Sequence, residues 1–201
     1  MTVPQPVARR GPRRPIPTLL DIATEVLVDD PAASLAEVAS AAGIGRTTLH
    51  KQYATRDDLI RAVAHRAIDV WERAVSAASE ADPDAGLRAL VTAMVPLGPQ
   101  LAFLWRTPAL EHVDEICARL DVLQERQLVL LRHARKLGIL SEDTPDWWQL
   151  RILYAVVYSA AESIYDGTLA PLDAPDLAFD ALLRGVGASP HARPARGAFS
   201  E

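Results

Sequence analysis

The segment SLAEVASAAGIGRTTLHKQY, residues 34–53, allows this chain few folds. Leu35, Val38, Ala39 and Ala42 recur at helical spacing, so residues 35–42 predict a short helix with one buried face. Ser34 with Glu37 three residues on is a capping-box start, and Gly43 stands where a helix commonly ends in the left-handed conformation. Leu49 and Tyr53 are four apart and share one face of a second short helix, about residues 46–53, with Ile44 as a further anchor. Two short helices around a glycine turn form the helix-turn-helix pattern. The anchors turn Arg46, Thr47, Thr48, His50 and Lys51 outward.

The flanking sequence extends this into an all-α fold. Thr18–Asp21 and Thr55–Asp58 repeat the capping-box spacing, each before apolar residues at helical intervals. The first predicts a helix over residues 19–28. The second predicts a long helix over 56–80, with Leu59, Ile60, Val63, Ala67, Val70, Trp71 and Ala74 as its stripe. Asp82-Pro83 and Thr144-Pro145 pair a capping side chain with proline at the first helical position, opening helices over about 84–95 and 146–166. Pro96, Pro99 and Pro108 are expected to break the chain into short pieces around 101–106. A long helix over about 109–137 and a last one from Asp173 to about Gly185–Gly187 complete the set. The resulting organisation is a Pro- and Arg-rich basic arm (1–17), expected to be disordered, and a three-helix DNA-binding domain (18–62). A larger helical domain (63–187) follows, joined by the long helix, and then a loose tail (188–201).

Charge separates the two parts. Residues 1–66 hold nine Lys/Arg against seven Asp/Glu, whereas the remainder is net acidic, and the whole chain is −5. A local basic surface matters more for nucleic acid than that total. The lone Cys117 excludes an internal disulfide framework and fits a reducing cytoplasm. The apolar run 152–161 is too short to span a bilayer, so no membrane partner is expected.

The outward row suits a duplex. Lys51 can donate to guanine or phosphate, the hydroxyls of Thr47 and Thr48 suit bases or phosphates, and His50 suits a phosphate. Arg46 and Tyr53 complete the candidate surface, with Arg13 and Arg14 as an arm for the minor groove or backbone. Free N–H groups at the start of the long helix, near residues 55–57, offer another phosphate position, disfavoured by Asp57 and Asp58. The segment GIGRTTLHKQYATRDDLIRAV, preceded by SLAEVASAAG, resembles the N-terminal signature of the tetracycline-repressor (TetR) family of bacterial transcriptional regulators. Ile44, Thr48, Leu49, Lys51 and Tyr53 match its pattern; Gly45 replaces the family's usual capping Ser, and His50 its usual Tyr. The match covers roughly residues 18–66.

The resemblance implies a double-stranded DNA operator as partner, a homodimer, and a small-molecule inducer held by the C-terminal domain, repression being the family's usual mode. The residues agree with this. The helix over 146–166 is apolar almost all round and must be covered on every side. With Leu177, Phe179, Ala181, Leu182 and Val186 of the last helix it is the candidate interface, where Ala155, Ser159 and Ala160 permit close approach. Helix interruptions leave room for a pocket lined by Leu97, Leu101, Leu104, Trp105, Ile116, Cys117, Leu120, Trp148 and Ile152. His112, Tyr154 and Tyr158 are its polar contacts, so the expected ligand is hydrophobic or aromatic. No HExxH, GxSxG, P-loop or dinucleotide motif occurs, and His112, Asp114 and Glu115 do not share a helix face, so neither an enzyme nor a metal or cofactor is expected. The rival reading is a helical interaction or small-molecule-binding module that never touches DNA.

Overall fold

The computed structural model describes residues 17–81 and 85–188. Nine α-helices follow one another over the described residues: α1 (Leu19–Asp29), α2 (Leu35–Ala41), α3 (Arg46–Gln52), α4 (Arg56–Glu80), α5 (Gly86–Met94), α6 (Gly98–Arg106), α7 (Asp114–Lys136), α8 (Asp146–Tyr165) and α9 (Ala174–Val186). Single 3₁₀ turns, Val95–Leu97 and Pro108–Leu110, flank α6. The proline-rich stretch is thus more regular than its sequence suggests. Pro96 and Pro99 each sit in the first turn of a helical piece, where no N–H is needed, so the chain bends without unravelling. Pro108 does the same in its own 3₁₀ turn and holds back the start of α7 to Asp114.

All three capping boxes form. Thr18, Ser34 and Thr55 each accept from the N–H three residues on, while Asp21, Glu37 and Asp58 each accept from the capping residue's N–H. Thr144-Pro145 behaves otherwise: Pro145 is itself the cap residue, and Asp146 accepts from the Trp147 N–H at 3.0 Å. The Asp82-Pro83 pair lies outside the described residues.

The helix α1 packs on α4, α2 on α1, and α3 on α2; α4 also enters a bundle with α5, α6 and α7, and α8 and α9 pack beside it. The inward side of α4 is wider than its predicted stripe. Ala64, Ile68, Val75 and Ala78 are buried with Leu59, Ile60, Val63, Ala67 and Trp71, whereas Val70 and Ala74 are half-buried. A helix crossed by partners on two sides needs that breadth. The run Gly86–Arg106 has the length and apolarity of a membrane span, but most of it lies inside the bundle, with Leu90, Val91, Met94 and Leu101 fully buried. An antiparallel bridge between Leu140 and Gly187 ties the α7–α8 loop to the end of α9.

The crossing of α6 and α8 depends on one absent side chain. A Cβ added at Gly98 would lie 2.5 Å from the Ala161 Cβ. Gly98→Ala must therefore push the helices apart, and overpacking of this kind costs about 1–3 kcal/mol. Adding Ala161→Gly should return most of that stability, as read by denaturant unfolding of the single and double variants.

Asp21 ties α1 to α4. Arg66 donates to it from Nε at 3.1 Å, and the Thr18 amide donates at 2.9 Å. Burial pushes the Asp21 carboxyl up, but these donors outweigh burial and hold it below its ordinary value. A depressed carboxyl stabilises the fold above its unfolded pKa and loses that stabilisation as pH falls through its folded value. The stability difference between wild type and Asp21→Asn, followed by thermal melts, should therefore narrow as pH drops below about 4.

Candidate nucleic-acid interface and ligand cavity

The turn between α2 and α3 is built by backbone bonds that only a left-handed residue allows. Gly43 has φ of 66°, so the Ile44 N–H reaches the Ala39 carbonyl at 3.0 Å and the Gly43 N–H reaches Ser40 at 3.1 Å. Ile44 then packs half-buried on the core, and Leu49 is fully buried beneath α3. Gly45 caps α3 with its carbonyl alone, accepting from Thr48 at 2.9 Å, with no side-chain cap.

With Leu49 inward, Arg46, Thr47, Thr48, His50 and Lys51 are all exposed. Arg46 Nε lies 3.5 Å from His50 Nε2, so these two share one end of the row. Tyr53 is placed differently from the others: it is half-buried and packs against the core as an anchor. Arg13 and Arg14 lie outside the described residues. The start of α4 offers fewer open N–H groups to a phosphate than its sequence suggests. Asp58 and Thr55 satisfy each other's amides at 3.0 and 3.1 Å, and the Arg56 side chain is spent on the carbonyls of Ala33 and Pro31. That contact braces the α1–α2 loop against the helix that follows α3.

The candidate ligand residues divide into three groups. Trp105, Tyr154 and Tyr158 come together: ring centroids are 5.3 Å apart for Trp105–Tyr154 and 5.9 Å for Trp105–Tyr158. With Arg151 and Ala155 they line an open concavity of about 330 Å3 between α6 and α8. Leu101, Leu104 and Ile116 are buried core, and Leu97 and Leu120 are half-buried and packed against it. The remaining four point elsewhere. Ile152 faces α9 and approaches Gly185, since it lies on another side of α8 from Tyr154 and Tyr158. Trp148 is exposed and stacks edge-on with Trp147. His112 is exposed in the turn before α7, and the Cys117 thiol leans on the carbonyls of Leu110 and Glu111.

Two participants escaped the sequence reading of this site. Trp71 of α4 meets Trp105 and Tyr154 edge-on, at 6.3 and 5.7 Å. Gln127 of α7, fully buried, donates to the Tyr154 hydroxyl at 3.1 Å. Burial pushes the Tyr154 phenol up, so it remains neutral and able to donate. The Trp71 Nε1 and Gln127 Oε1 atoms are buried without a hydrogen-bond partner. A glutamine within the apolar stripe of α7, four residues from both Leu123 and Leu131, is the one signal that sequence offered, because an amide is seldom buried unless something uses it.

A second hollow, about 400 Å3, lies where α1 meets α6 and α8; Glu25, Asp29, Glu162 and Asp166 line it with Arg106 and Tyr165. The Tyr165 hydroxyl donates to Asp29 across it at 2.7 Å.

A three-helix head with a polar, outward third helix, carried on a helical bundle with an aromatic concavity, defines the class of helix-turn-helix DNA-binding proteins. No family model matches the chain. It is 34% identical over 168 residues to the HTH-type transcriptional repressor LfrR of Mycolicibacterium smegmatis, covering 80% of this chain and 82% of that protein. The crystal structure of the TetR-like regulator LfrR from Mycobacterium smegmatis in complex with proflavine superposes with a TM-score of 0.70 at 32% identity, over 83% of this chain and 93% of that one. The TetR family regulator PfmR from Thermus thermophilus shares the fold, with a TM-score of 0.65 at 19% identity over 83% and 97% of the two chains. The chain belongs to the TetR family of transcriptional regulators. It is a regulator and not an enzyme.

Proposed function

We propose that the chain is a ligand-responsive repressor that binds a palindromic operator as a homodimer and leaves it when an aromatic molecule occupies the α6–α8 concavity. The observation that carries the DNA half of this reading is the exposed row Arg46, Thr47, Thr48, His50 and Lys51 on a helix anchored by the fully buried Leu49. Side chains held this way enter a major groove with their backbone already ordered. A two-fold dimer would carry two such helices roughly 34–36 Å apart, one turn of duplex.

The outer faces of α8 and α9 supply a candidate interface. Val156, Ser159, Leu177 and Ala181 line a shallow groove between them, and Leu177 is exposed. Phe179, Leu182 and Val186, predicted for the interface, are buried within the chain, as is Ala160, so the outward set is smaller and more mixed than the sequence suggested. Leu177→Glu should shift the sedimentation of the protein from dimer to monomer.

The ligand half is supported by the aromatic concavity and by the relative LfrR, whose structure holds proflavine, a flat aromatic. A ligand acts only through different affinities for two states. Trp71 offers the route: it belongs to α4, the helix that continues from the DNA-binding head, and its ring lies against Trp105 and Tyr154. A molecule that moves Trp105 presses on α4 and swings α3 out of register. A mobility-shift titration on the DNA upstream of the gene, with and without flat aromatic compounds, tests the whole reading. Binding should weaken steeply with salt, since phosphate neutralisation releases counterions. A ligand that binds yet leaves operator affinity unchanged would falsify the switching step.

A further inference from the structure

The walls of the α6–α8 concavity carry a charge as well as rings. Arg151 stands at its edge, exposed, and among the described residues it makes no ion pair. A second guanidinium, Arg106, lies 5.1 Å from the Tyr158 ring centroid, paired at 3.5 Å with Glu162. Among the described residues, no carboxylate lines the concavity itself. The acidic residues of this region line the other hollow, at α1. The two hollows on either side of Arg106 thus have opposite character.

We propose that the concavity selects an aromatic carboxylate, its ring lying against Trp105, Tyr154 and Tyr158 and its carboxylate held by Arg151. The inference rests on the reading of this concavity as the effector site and adds the charge of the ligand. Two features converge on it. Indole and phenol rings at 5.3–5.9 Å offer a ring-shaped contact surface. An unpaired guanidinium presents a planar fork that matches two carboxylate oxygens. A cationic aromatic, the class to which the proflavine of LfrR belongs, gains the rings but meets Arg151 as a like charge, so the inference places the ligand charge of this chain opposite to that of its relative's ligand.

Three indoles that differ in charge test this: indole-3-acetate, indole-3-acetamide and tryptamine, titrated calorimetrically into the full chain, its Arg151→Gln and Arg151→Lys variants, and Trp105→Ala. The acid should bind at least tenfold more tightly than the amide, and tryptamine more weakly than either. Arg151→Gln should erase the difference between acid and amide, and Arg151→Lys, which keeps the charge and loses the fork, should retain part of it. Trp105→Ala should weaken all three. If acid and amide bind equally, or tryptamine matches the acid, and Trp105→Ala still abolishes binding, the charge selection is overturned while the effector site stands. If no indole binds at millimolar concentration, or binding ignores Trp105→Ala, the effector-site reading falls together with the inference.

Discussion

The double replacement Thr47→Ala, Lys51→Ala is expected to lower operator affinity roughly 100-fold, because each lost base contact costs about 1–3 kcal/mol. Both side chains are exposed, so the thermal unfolding curve should stay where it is. Salt dependence separates the roles of the two residues. If Lys51 holds a phosphate, Lys51→Ala alone reduces the slope of log affinity against log salt by about one. If it reads a guanine edge, the slope changes little and discrimination at one base position relaxes. Operator affinity within twofold of wild type, measured by fluorescence anisotropy, would place the DNA surface elsewhere on the molecule.

The second large effect lies one residue inward of that face. Leu49 has none of its surface exposed, and it joins α3 to the core formed by α1, α2 and α4. Leu49→Ala removes buried methyl groups and leaves a cavity, a change that costs about 2–5 kcal/mol. The damage should concentrate in the head, because α3 packs chiefly on α2. Amide hydrogen exchange should rise in α2 and α3 while α8 and α9 keep their protection. Operator affinity should fall with it, since a loosened α3 must be ordered again on binding. Ligand affinity measured on the same variant should hold, because the aromatic concavity lies between α6 and α8. Set beside Thr47→Ala, Lys51→Ala, which is expected to affect DNA binding and spare stability, this variant separates the residues proposed to read DNA from the one that holds their helix in place.

Sequence alone located the head closely. The three capping boxes, the glycine at 43 and the Leu49 anchor are local: each depends on bonds or spacings within a few residues, and each formed as read. Hydrophobic spacing then decided which side of α3 faces out, because burying Leu49 leaves its other face no alternative. The C-terminal half was legible as helices but not as a site. Trp105, Tyr154 and Tyr158 were among the predicted ligand contacts, yet so were Ile152 and Trp148, which the helix turns toward α9 and solvent. No periodicity within α8 says which of its nearly uniform apolar sides meets α6. That was decided by Gly98, whose missing side chain lets α6 cross against Ala161 and so brings Trp105 over Tyr154 and Tyr158. The contributions of Trp71 and Gln127 come from α4 and α7, tens of residues away in sequence. Short-range bonding is written in consecutive residues, so sequence determined the helix-turn-helix and its outward face by itself. A cavity exists only between elements whose mutual placement is a property of the whole packed chain, and only the tertiary structure decided where it lies.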